Sequence, residues 1–549
     1  QLYHALYSAY AQREFEGQFL RLGYFTPSSE GLNRQPRSFG ASPDVAVGVM
    51  VGSSDSLAMN NPKPSIYPIY VTANRLGSVE IYRNGLLINT QAVPAGLQTL
   101  DTRPLPGGIY EVEVRLIEDG QVTSTTQELV YKPNNWRNHD ERWRYNLFAG
   151  RESTLLNNWE QRDKGDMTAG ASVNYLVHPR VVLGLSGRQV QDRLQLGSSI
   201  DWSLAQGVSL YANVYQTRDY GTGMDVQGLY SYGTGSVIAS HNRSWLDTRN
   251  TYETLPDGTR LRQRNTFVGQ TSTSSLSINH RLPGQNSLNA RVSHSQGNVE
   301  GVGLDLGWTR HDTLFGSDAN WRLSVFDRPP TGTLSDKRNR GVDLTLNLAL
   351  GGPGESWSGS LGSRTAREGQ RDNNASLTYR KELKDHALQN VSVTALTDVY
   401  GVGLSGMTSF ATDTLAGDAF AQRSSYNGDL TGGLNLNNTL AVGAQKMVLT
   451  SQYHGSGSGM IIDVETDVED IALRADDVTG SSMVLRPGRN FVPITAYKSS
   501  SVAFDFEGNY PPAATIQPAR TAYHMNKGGV GYRKISVMKT VTVLGRLID

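Results

Sequence analysis

From Trp143 to Gln445 apolar and polar residues alternate one by one, in short segments broken by turn clusters. A period of two is the periodicity of a strand, whose side chains point alternately to its two faces. Met167, Ala169, Ala171, Val173 and Tyr175 interleave with Thr168, Gly170, Ser172 and Asn174. Val342, Leu344, Leu346, Leu348 and Leu350 interleave with Asp343, Thr345, Asn347 and Ala349. A wall built of such strands separates two different solvents. Sustained over roughly 300 residues, the pattern predicts an all-β fold dominated by a large transmembrane β-barrel of the outer-membrane kind.

The bulk composition narrows the alternatives. In 549 residues no apolar run approaches the length of a helical span, and mean hydropathy is -0.41, which excludes a helical membrane protein. The absence of Cys excludes disulfides and thiolate metal sites. Lys+Arg and Asp+Glu balance at 51 each, so no net field points to nucleic acid. Of the cations 40 are Arg, the residue that makes planar, two-pronged pairs with carboxylates and lines aqueous channels.

Punctuation divides the chain. Residues 1–61 hold the first barrel strands, including an alternating piece with Glu16, Gln18 and Leu20 against Phe15, Gly17 and Phe19, and another with Val45, Val47 and Val49. Pro62-Lys63-Pro64 and Tyr131-Lys132-Pro133-Asn134-Asn135 bracket an inserted block, 62–135, that reads as a small soluble β-sandwich. Within it Val79-Glu80-Ile81-Tyr82-Arg83 runs into Asn84-Gly85 and Leu86-Leu87-Ile88, a hairpin signal. Tyr110, Val112, Val114 and Leu116 form a core face against Glu111, Glu113 and Arg115, ahead of a turn at Glu118-Asp119-Gly120.

Residues 136–446 continue the barrel with roughly 18 to 20 strands of about 9 to 11 residues. The turns between them include Asp163-Lys164-Gly165-Asp166, Pro256-Asp257-Gly258, Gly351-Gly352-Pro353-Gly354 and Glu368-Gly369-Gln370-Arg371-Asp372. Tyr175, Trp202, Trp308, Trp321 and Trp357 fall near strand ends, where an interfacial girdle would put them. Residues 447–525 read as a second soluble β-domain and 526–549 as the start of another, with strands Gly529–Val537 and Thr540–Asp549. The chain opens on Gln1 and stops in mid-pattern, so the expectation is a fragment with a removed leader upstream.

Geometry sets the barrel's size. A lumen of about 24 strands is about 38 Å wide and one of 16 strands about 22 Å, while a sandwich the size of the insert is about 28 Å across. Only the larger holds the insert. Four or so strands before it and about 19 after it lead to the same number. A lumen that wide, left open, abolishes a permeability barrier. The insert is therefore expected to be a gate, tethered at both ends so that it swings aside without being lost.

The block Ser65–Tyr131, with Val79-Glu80-Ile81-Tyr82-Arg83-Asn84-Gly85 and Asp101-Thr102-Arg103-Pro104-Leu105-Pro106-Gly107-Gly108-Ile109-Tyr110-Glu111-Val112, resembles the immunoglobulin-like plug of outer-membrane fimbrial ushers, closest to the alpha-fimbrial, colonisation-factor type. Val541-Thr542-Val543-Leu544-Gly545-Arg546-Leu547-Ile548-Asp549 is similar to the opening of an usher's last periplasmic domain. The resemblance implies a barrel in the outer membrane of a Gram-negative cell, with a periplasmic C-terminal domain. Its implied partners are pilin subunits, their periplasmic chaperone and outer-membrane lipid, in a monomer or a homodimer. It also implies an N-terminal recruitment domain, to which no residues here correspond.

Other motifs reduce to structure. Gly401-Val402-Gly403-Leu404-Ser405-Gly406 fits a dinucleotide glycine pattern, yet Met407-Thr408-Ser409-Phe410 continues it as strand rather than as the helix a pyrophosphate needs. The ten histidines are scattered without ligand spacing, at positions 4, 139, 178, 241, 280, 294, 311, 386, 454 and 524. No catalytic, cofactor or metal residue is assigned, and no cofactor is expected. Asp463, Glu465, Asp467 and Glu469 alternate with Ile462, Val464 and Val468. They read as a charged edge that blocks unwanted sheet pairing, or as a periplasmic docking face.

Arg75, Glu80, Arg83, Glu111, Glu113 and Arg115 are the candidate gate surface, either an ordinary wet face or a latch of individually weak, exposed ion pairs to the lumen. The reading is a transport and assembly platform, not an enzyme. It would move folded subunits to the cell surface and template a fimbria, driven by subunit strand exchange without nucleotide. The alternative is a plugged channel or receptor for small solutes, whose plug usually stands at the N-terminus. A barrel-borne hydrolase would need a Ser/His/Asp cluster, and none assembles.

Overall fold

The computed structural model describes residues 6–546 apart from 7, 38–45, 55–63, 84–85, 106–107, 120, 133–135, 137–138, 153–164, 191, 248–249, 255–259, 265–268, 331–335, 367, 385, 453–456, 478–481 and 498. Several expected turns therefore lie outside the described residues: Pro62-Lys63, Asn84-Gly85, Pro106-Gly107, Gly120, Pro133-Asn134-Asn135, Asp163-Lys164 and Pro256-Asp257-Gly258. The same holds for Val45, His4, His454 and the tail Leu547–Asp549. Two compact units divide the chain, one of residues 1–382, 392–407 and 421–431, the other of 383–391, 408–420 and 432–549.

Among the described residues, 21 strands form one antiparallel sheet, the barrel wall, against the expected about 24. Three precede the insert rather than four or so: Ala9–Phe15, Gln18–Phe25 and Ala46–Ser53. The last pairs directly with Trp143–Glu152, from Ala46 opposite Glu152 to Gly52 opposite Asn146, so the sheet runs on as though the insert were absent. The expected alternating piece through Phe15 to Leu20 is instead a hairpin. Glu16 and Gly17 both take positive φ (47° and 78°), the two-residue turn whose twist suits paired strands, and Phe15 pairs with Gln18 across it.

Burial in the wall is inverted relative to a water-soluble protein. On Met167–His178, Met167 is 67% exposed while Thr168, Ser172 and Asn174 are buried. Leu183, Leu185, Leu194, Leu196, Val214 and Val292 continue the exposed apolar face, while Asn146, Ser186, Gln195, Ser199 and Asn213 continue the buried polar one. Alternation puts most aliphatic side chains of the wall toward lipid and most polar ones toward the lumen. The glycine pattern Gly401–Gly406 lies inside the strand Gly401–Ala411 and has no helix to aim.

The two ends of the wall differ. At one end, the insert aside, the links run from two to six residues, and six of them are two or three long, at Glu16-Gly17, Pro179-Arg180, Gln206-Gly207, Gly233-Thr234, Pro283–Gln285 and Phe315-Gly316. There exposed aromatics gather: Trp143 packs on Tyr175 (centroids 4.3 Å), Trp357 on Tyr379 (4.9 Å), with Trp202 and Tyr230 alongside. At the other end the connections lengthen, as between Phe25 and Ala46 or Leu246 and Gly269. Short periplasmic turns and longer outer loops are the habit of outer-membrane barrels, and this orients the wall.

The insert is a sandwich. Gly77–Arg83, Leu86–Val93, Gly108–Glu118 and Gln121–Lys132 form a four-stranded sheet, and Tyr70–Ala73 pairs with Gly96–Thr99. Val79, Ile81, Val93, Tyr110, Val112, Val114, Leu116 and Val130 meet in its core with Ile69, Val71 and Leu105. Lys132 is buried at the last strand's end and donates to the carbonyls of Thr102 (3.1 Å), Arg103 (3.0 Å) and Leu105 (2.7 Å). Its ammonium thereby pins the irregular segment that precedes Gly108–Glu118. Burial pulls its pKa below the ordinary lysine value, and Asp101 opposes that.

The second unit holds a further sandwich. One sheet has the order Gly488–Ile494, Ser458–Thr466, Val530–Lys539, Ala514–Gln517; the other has Ser482–Leu485, Leu473–Asp477, Ser500–Phe506, Arg520–Tyr523. Met460, Ile462, Val464, Leu473, Val492, Phe504, Ile535 and Val537 share its core. Two expectations are corrected. Ser458–Thr466 is an interior strand paired on both sides, so Asp463 and Glu465 shield no edge, and Asp467 and Glu469 lie beyond the strand. Val530–Lys539 pairs parallel to Ser458–Thr466 and supplies Ile535 and Val537 to the core, so this sandwich extends past residue 525. From residue 540 to 546 the chain forms no strand.

Candidate functional site: the seam between insert and wall

The insert is touched by wall strands around nearly its whole girth. Leu129 packs with Leu229 and Ile238, joined by Tyr67, Ile109 and Tyr131. Glu111 meets Arg291 (3.4 Å) and accepts from Ser277 Oγ (3.4 Å). Arg281 donates to the carbonyl of Ile66 (3.2 Å) and lies over Tyr67, while Arg322 faces the Tyr70 ring. Asn347 Nδ2 donates to the carbonyl of Leu97 (3.3 Å). Gly96, at φ +101°, comes so near the wall that a Cβ there would sit 2.8 Å from Ser358 Oγ.

The strongest anchor is Arg75. Its guanidinium meets Glu118 (3.3 Å) and Asp119 within the insert, and Asp398 of the wall (2.5 Å). The side chains of Arg75 and Asp398 are 8% and 1% exposed. The acidic side is further satisfied by donors from the wall: Gln422 Nε2 (2.7 Å) and Ser424 Oγ (2.9 Å) on Asp119, and Ser425 Oγ (2.7 Å) and the backbone N–H of Tyr400 and Gly401 on Asp398. Burial works against the Arg75 charge, but Glu118, Asp119 and Asp398 more than offset it and hold its pKa above the ordinary value. The latch expected from weak exposed pairs is at this point a buried network, costly to break from one side.

A second element closes the seam. Residues 26–37, part of the connection between two wall strands, fold inward and lie along the lumen face. Asn33 N–H (2.7 Å) and Arg34 N–H (3.0 Å) donate to Asn174 Oδ1, and Asn174 Nδ2 returns a bond to the carbonyl of Arg34 (3.0 Å). Gln35 Nε2 bridges Ser172 and Ser186, and Arg37 grips both oxygens of Asp225 (3.0 Å each). Arg34 pairs with Asp201 (3.1 Å), stacks on Tyr211 (3.8 Å) and donates to the insert carbonyl of Ile109 (3.2 Å). Beside it the insert's Arg83 stacks on Tyr110 (4.0 Å); burial and then Arg34 push the Arg83 pKa down to about 10. Burial also raises the Glu111 carboxyl, with Arg291 opposing. It lifts Glu128 to about 7, with Arg322 opposing.

Of the six residues read as a gate surface, Arg75 and Glu111 reach the wall and Arg83 faces the inward loop. The other three bond within the insert: Tyr82 Oη donates to Glu80 (2.6 Å), and Arg115 pairs with Glu113 (2.9 Å) while lying over Tyr82. Of the acidic four in the second sandwich, Asp463 accepts from Tyr532 Oη (3.0 Å), Glu465 pairs with Lys534 (2.7 Å) and Asp467 accepts from the N–H of Lys539 (3.3 Å). Glu469 is exposed. Sequence reading missed Arg34, Arg37, Glu118, Asp119 and Asp398. The signal was there for the first two: Arg34-Gln35-Pro36-Arg37 is a basic string in a connection longer than a barrel turn requires.

Comparison with known proteins adds three findings. The family model of the TcfC E-set like domain matches residues 65–132, which is the insert. The probable outer membrane usher protein EcpC of Escherichia coli O18:K1:H7 (strain IHE3034 / ExPEC) is 25% identical over 574 residues, covering 99% of this chain and 63% of that protein. EcpC of Escherichia coli O157:H7 is equally similar, at 25% over 573 residues. The chain thus spans just under two thirds of the length of these relatives. Among solved structures, the E. coli P pilus tip assembly intermediate PapC-PapD-PapK-PapG matches with a TM-score of 0.57 at 15% identity, over 97% of this chain and 64% of that one. The likeness shows the fold, a large all-β barrel with an inserted domain.

Proposed function

We infer that this chain is the barrel, plug and C-terminal sandwich of an outer-membrane fimbrial usher, which passes folded pilin subunits from a periplasmic chaperone to the cell surface and templates fimbria assembly. One observation carries the reading: a complete, independently cored sandwich interrupts the wall between Ser53 and Trp143 and is held by polar contacts from wall strands between Ser277 and Ser424. A lumen that accommodates such a domain accommodates a pilin domain of similar size once the plug moves. Polar seams suit this task, because both faces can be wetted again on opening, whereas a broad apolar interface could not be. Arg75 and Glu111 hold the plug, and the 26–37 loop props it. Asp463, Glu465, Asp467 and Glu469 offer a face to incoming chaperone–subunit complexes. The free energy comes from strand exchange between subunits, an extended segment of one completing the sheet of the next.

A channel for small solutes needs neither so wide a lumen nor a plug inserted between strands. Deleting residues 65–132 should raise influx of large antibiotics sharply. Permeability at the intact level would sink the plug assignment. Deleting the whole gene should abolish surface fimbriae, and normal piliation would refute the usher assignment while leaving a gated barrel intact.

A further inference from the structure

On the outward face of the wall, polar and basic side chains gather along one arc near the end with the long connections. Trp245 marks the interface there, and two and four residues before it on the same face stand Arg243 and His241. Arg243 lies opposite Ser272, and its Nε–H has no acceptor among the described residues. His241 lies opposite Ser274 and is hydrogen-bonded to its Oγ (2.7 Å). Ser274 in turn faces His294, and His294 faces Val302. Arg338 donates to the carbonyl of Val302 and pairs with Asp327 (2.8 Å). Arg340 pairs with the same carboxylate (3.3 Å) with its side chain 62% exposed, and Arg371 donates to the carbonyl of Arg340 (3.0 Å).

Asp327, the carboxylate among these strands, therefore pairs with Arg338 and Arg340, and neither Arg243 nor Arg371 is paired with an acid among the described residues. The other nearby acids, Asp247, Glu300, Asp336 and Glu368, lie in the connections beyond the strand ends. Directly below the arc the outward face is aliphatic, with Leu276, Val292, Val302 and Leu304 exposed. Cations at headgroup depth above an aliphatic surface match the chemistry of a phosphate-bearing, multiply acylated glycolipid.

We propose that the part of this arc centred on Arg338, Arg340 and Arg371 is a binding site for the phosphorylated glycolipid of the outer leaflet, with phosphates on the guanidiniums and acyl chains on the aliphatic strip. Guanidinium forks suit phosphate oxygens. A second copy of the chain fits the arc poorly, since a two-fold contact through it would set arginine against arginine. The site rests on the barrel's outer-membrane placement and not on subunit transport.

The full chain, purified in mild detergent, is incubated with bisphosphorylated hexa-acyl lipid A or with the same lipid dephosphorylated, and retention is read by native mass spectrometry. The intact chain should retain the phosphorylated form, and R340E/R371E should lose at least about tenfold in apparent affinity. R243Q/H294Q should lose less, and R310E near the short-turn end should lose nothing. Heat-dependent gel mobility reports folding of each variant. Equal retention of the dephosphorylated lipid, or undiminished retention by folded R340E/R371E, overturns the proposal. So does a switch from dimer to monomer in that variant with lipid retention unchanged, which would assign the arc to a second copy.

Discussion

The two small sandwiches of this chain make a controlled comparison. Both bury an aliphatic core built by strict alternation, and both carry charge on the outward faces of their sheets. In the C-terminal sandwich the charges satisfy one another locally, as Glu465 with Lys534, and remain exposed. In the insert, charges of the same types are enclosed by the wall, and Arg75 is shared among three carboxylates, one of them Asp398. The same residue types thus make trivial pairs on one sandwich and a structural lock on the other. The cause is the dielectric around them: an exposed pair is screened, whereas a buried one cannot lose a partner without leaving a charge stranded.

The largest effect should follow from Arg75→Ala, which strands Glu118, Asp119 and Asp398 together. Breaking a buried pair from one side costs about 3–5 kcal/mol. Single-channel recording in planar bilayers should show the open fraction rising by about two orders of magnitude or more. An open fraction within about threefold of the parent would mean that the lock carries no load and that the two sandwiches do not differ as argued.

How much of this was legible beforehand follows the range of the interactions. Alternation is local, so the wall, its two solvents and the sandwich cores could be read from Met167–Tyr175 or Tyr110–Leu116 alone. Arg75 could be singled out as a charged residue of the insert, but its wall partner stands 323 positions away, and no periodicity links them. The 26–37 loop was missed because an irregular segment announces no face, and only the fold reveals that it turns inward. The boundary at residue 525 failed because a parallel pairing joins Ser458–Thr466 to a strand roughly 70 residues later, with no turn between them to mark it.

A second effect sharpens the comparison at the backbone. Gly96 of the insert and Gly488 of the C-terminal sandwich take nearly equal φ (+101° and +97°), so Ala at either stores similar strain, about 1–3 kcal/mol. They differ in surroundings: Ser358 of the wall crowds a Cβ placed on Gly96, while a Cβ on Gly488 points into open space. Gly488→Ala should lower only the thermal stability of its own sandwich. Gly96→Ala should in addition raise channel opening, by about tenfold if the contact costs roughly 1 kcal/mol beyond strain.

Smaller again is the pH response. Burial holds the Glu128 carboxyl at about 7 in the seated plug, whereas a released plug exposes it and returns it toward the ordinary 4.5. Between those values the seated state binds the extra proton, so seating is favoured at low pH and weakens as pH rises to about 7, beyond which the effect is complete. The residue is partly exposed, which limits the effect to on the order of 1 kcal/mol. Glu111, raised in the same direction, adds to the slope. Open probability should climb between pH 5 and about 7.5, and Glu128→Gln should flatten most of that climb. An unchanged profile in Glu128→Gln would place the proton elsewhere.

The smallest effect is the most diagnostic of the contrast. Glu465→Ala removes one partner of a pair at 2.7 Å, closer than the 3.3 Å between Arg75 and Glu118, so distance alone would make it the more damaging change. Exposure reverses that ranking: with Glu465 64% and Lys534 52% exposed, water takes over each charge as the other leaves. The melting temperature of the chain should therefore barely move, and raising the salt concentration should erase even that. A larger, salt-insensitive loss would show that Glu465 is shielded in the folded protein, and the contrast between the two sandwiches would then rest on something other than the water around their charges.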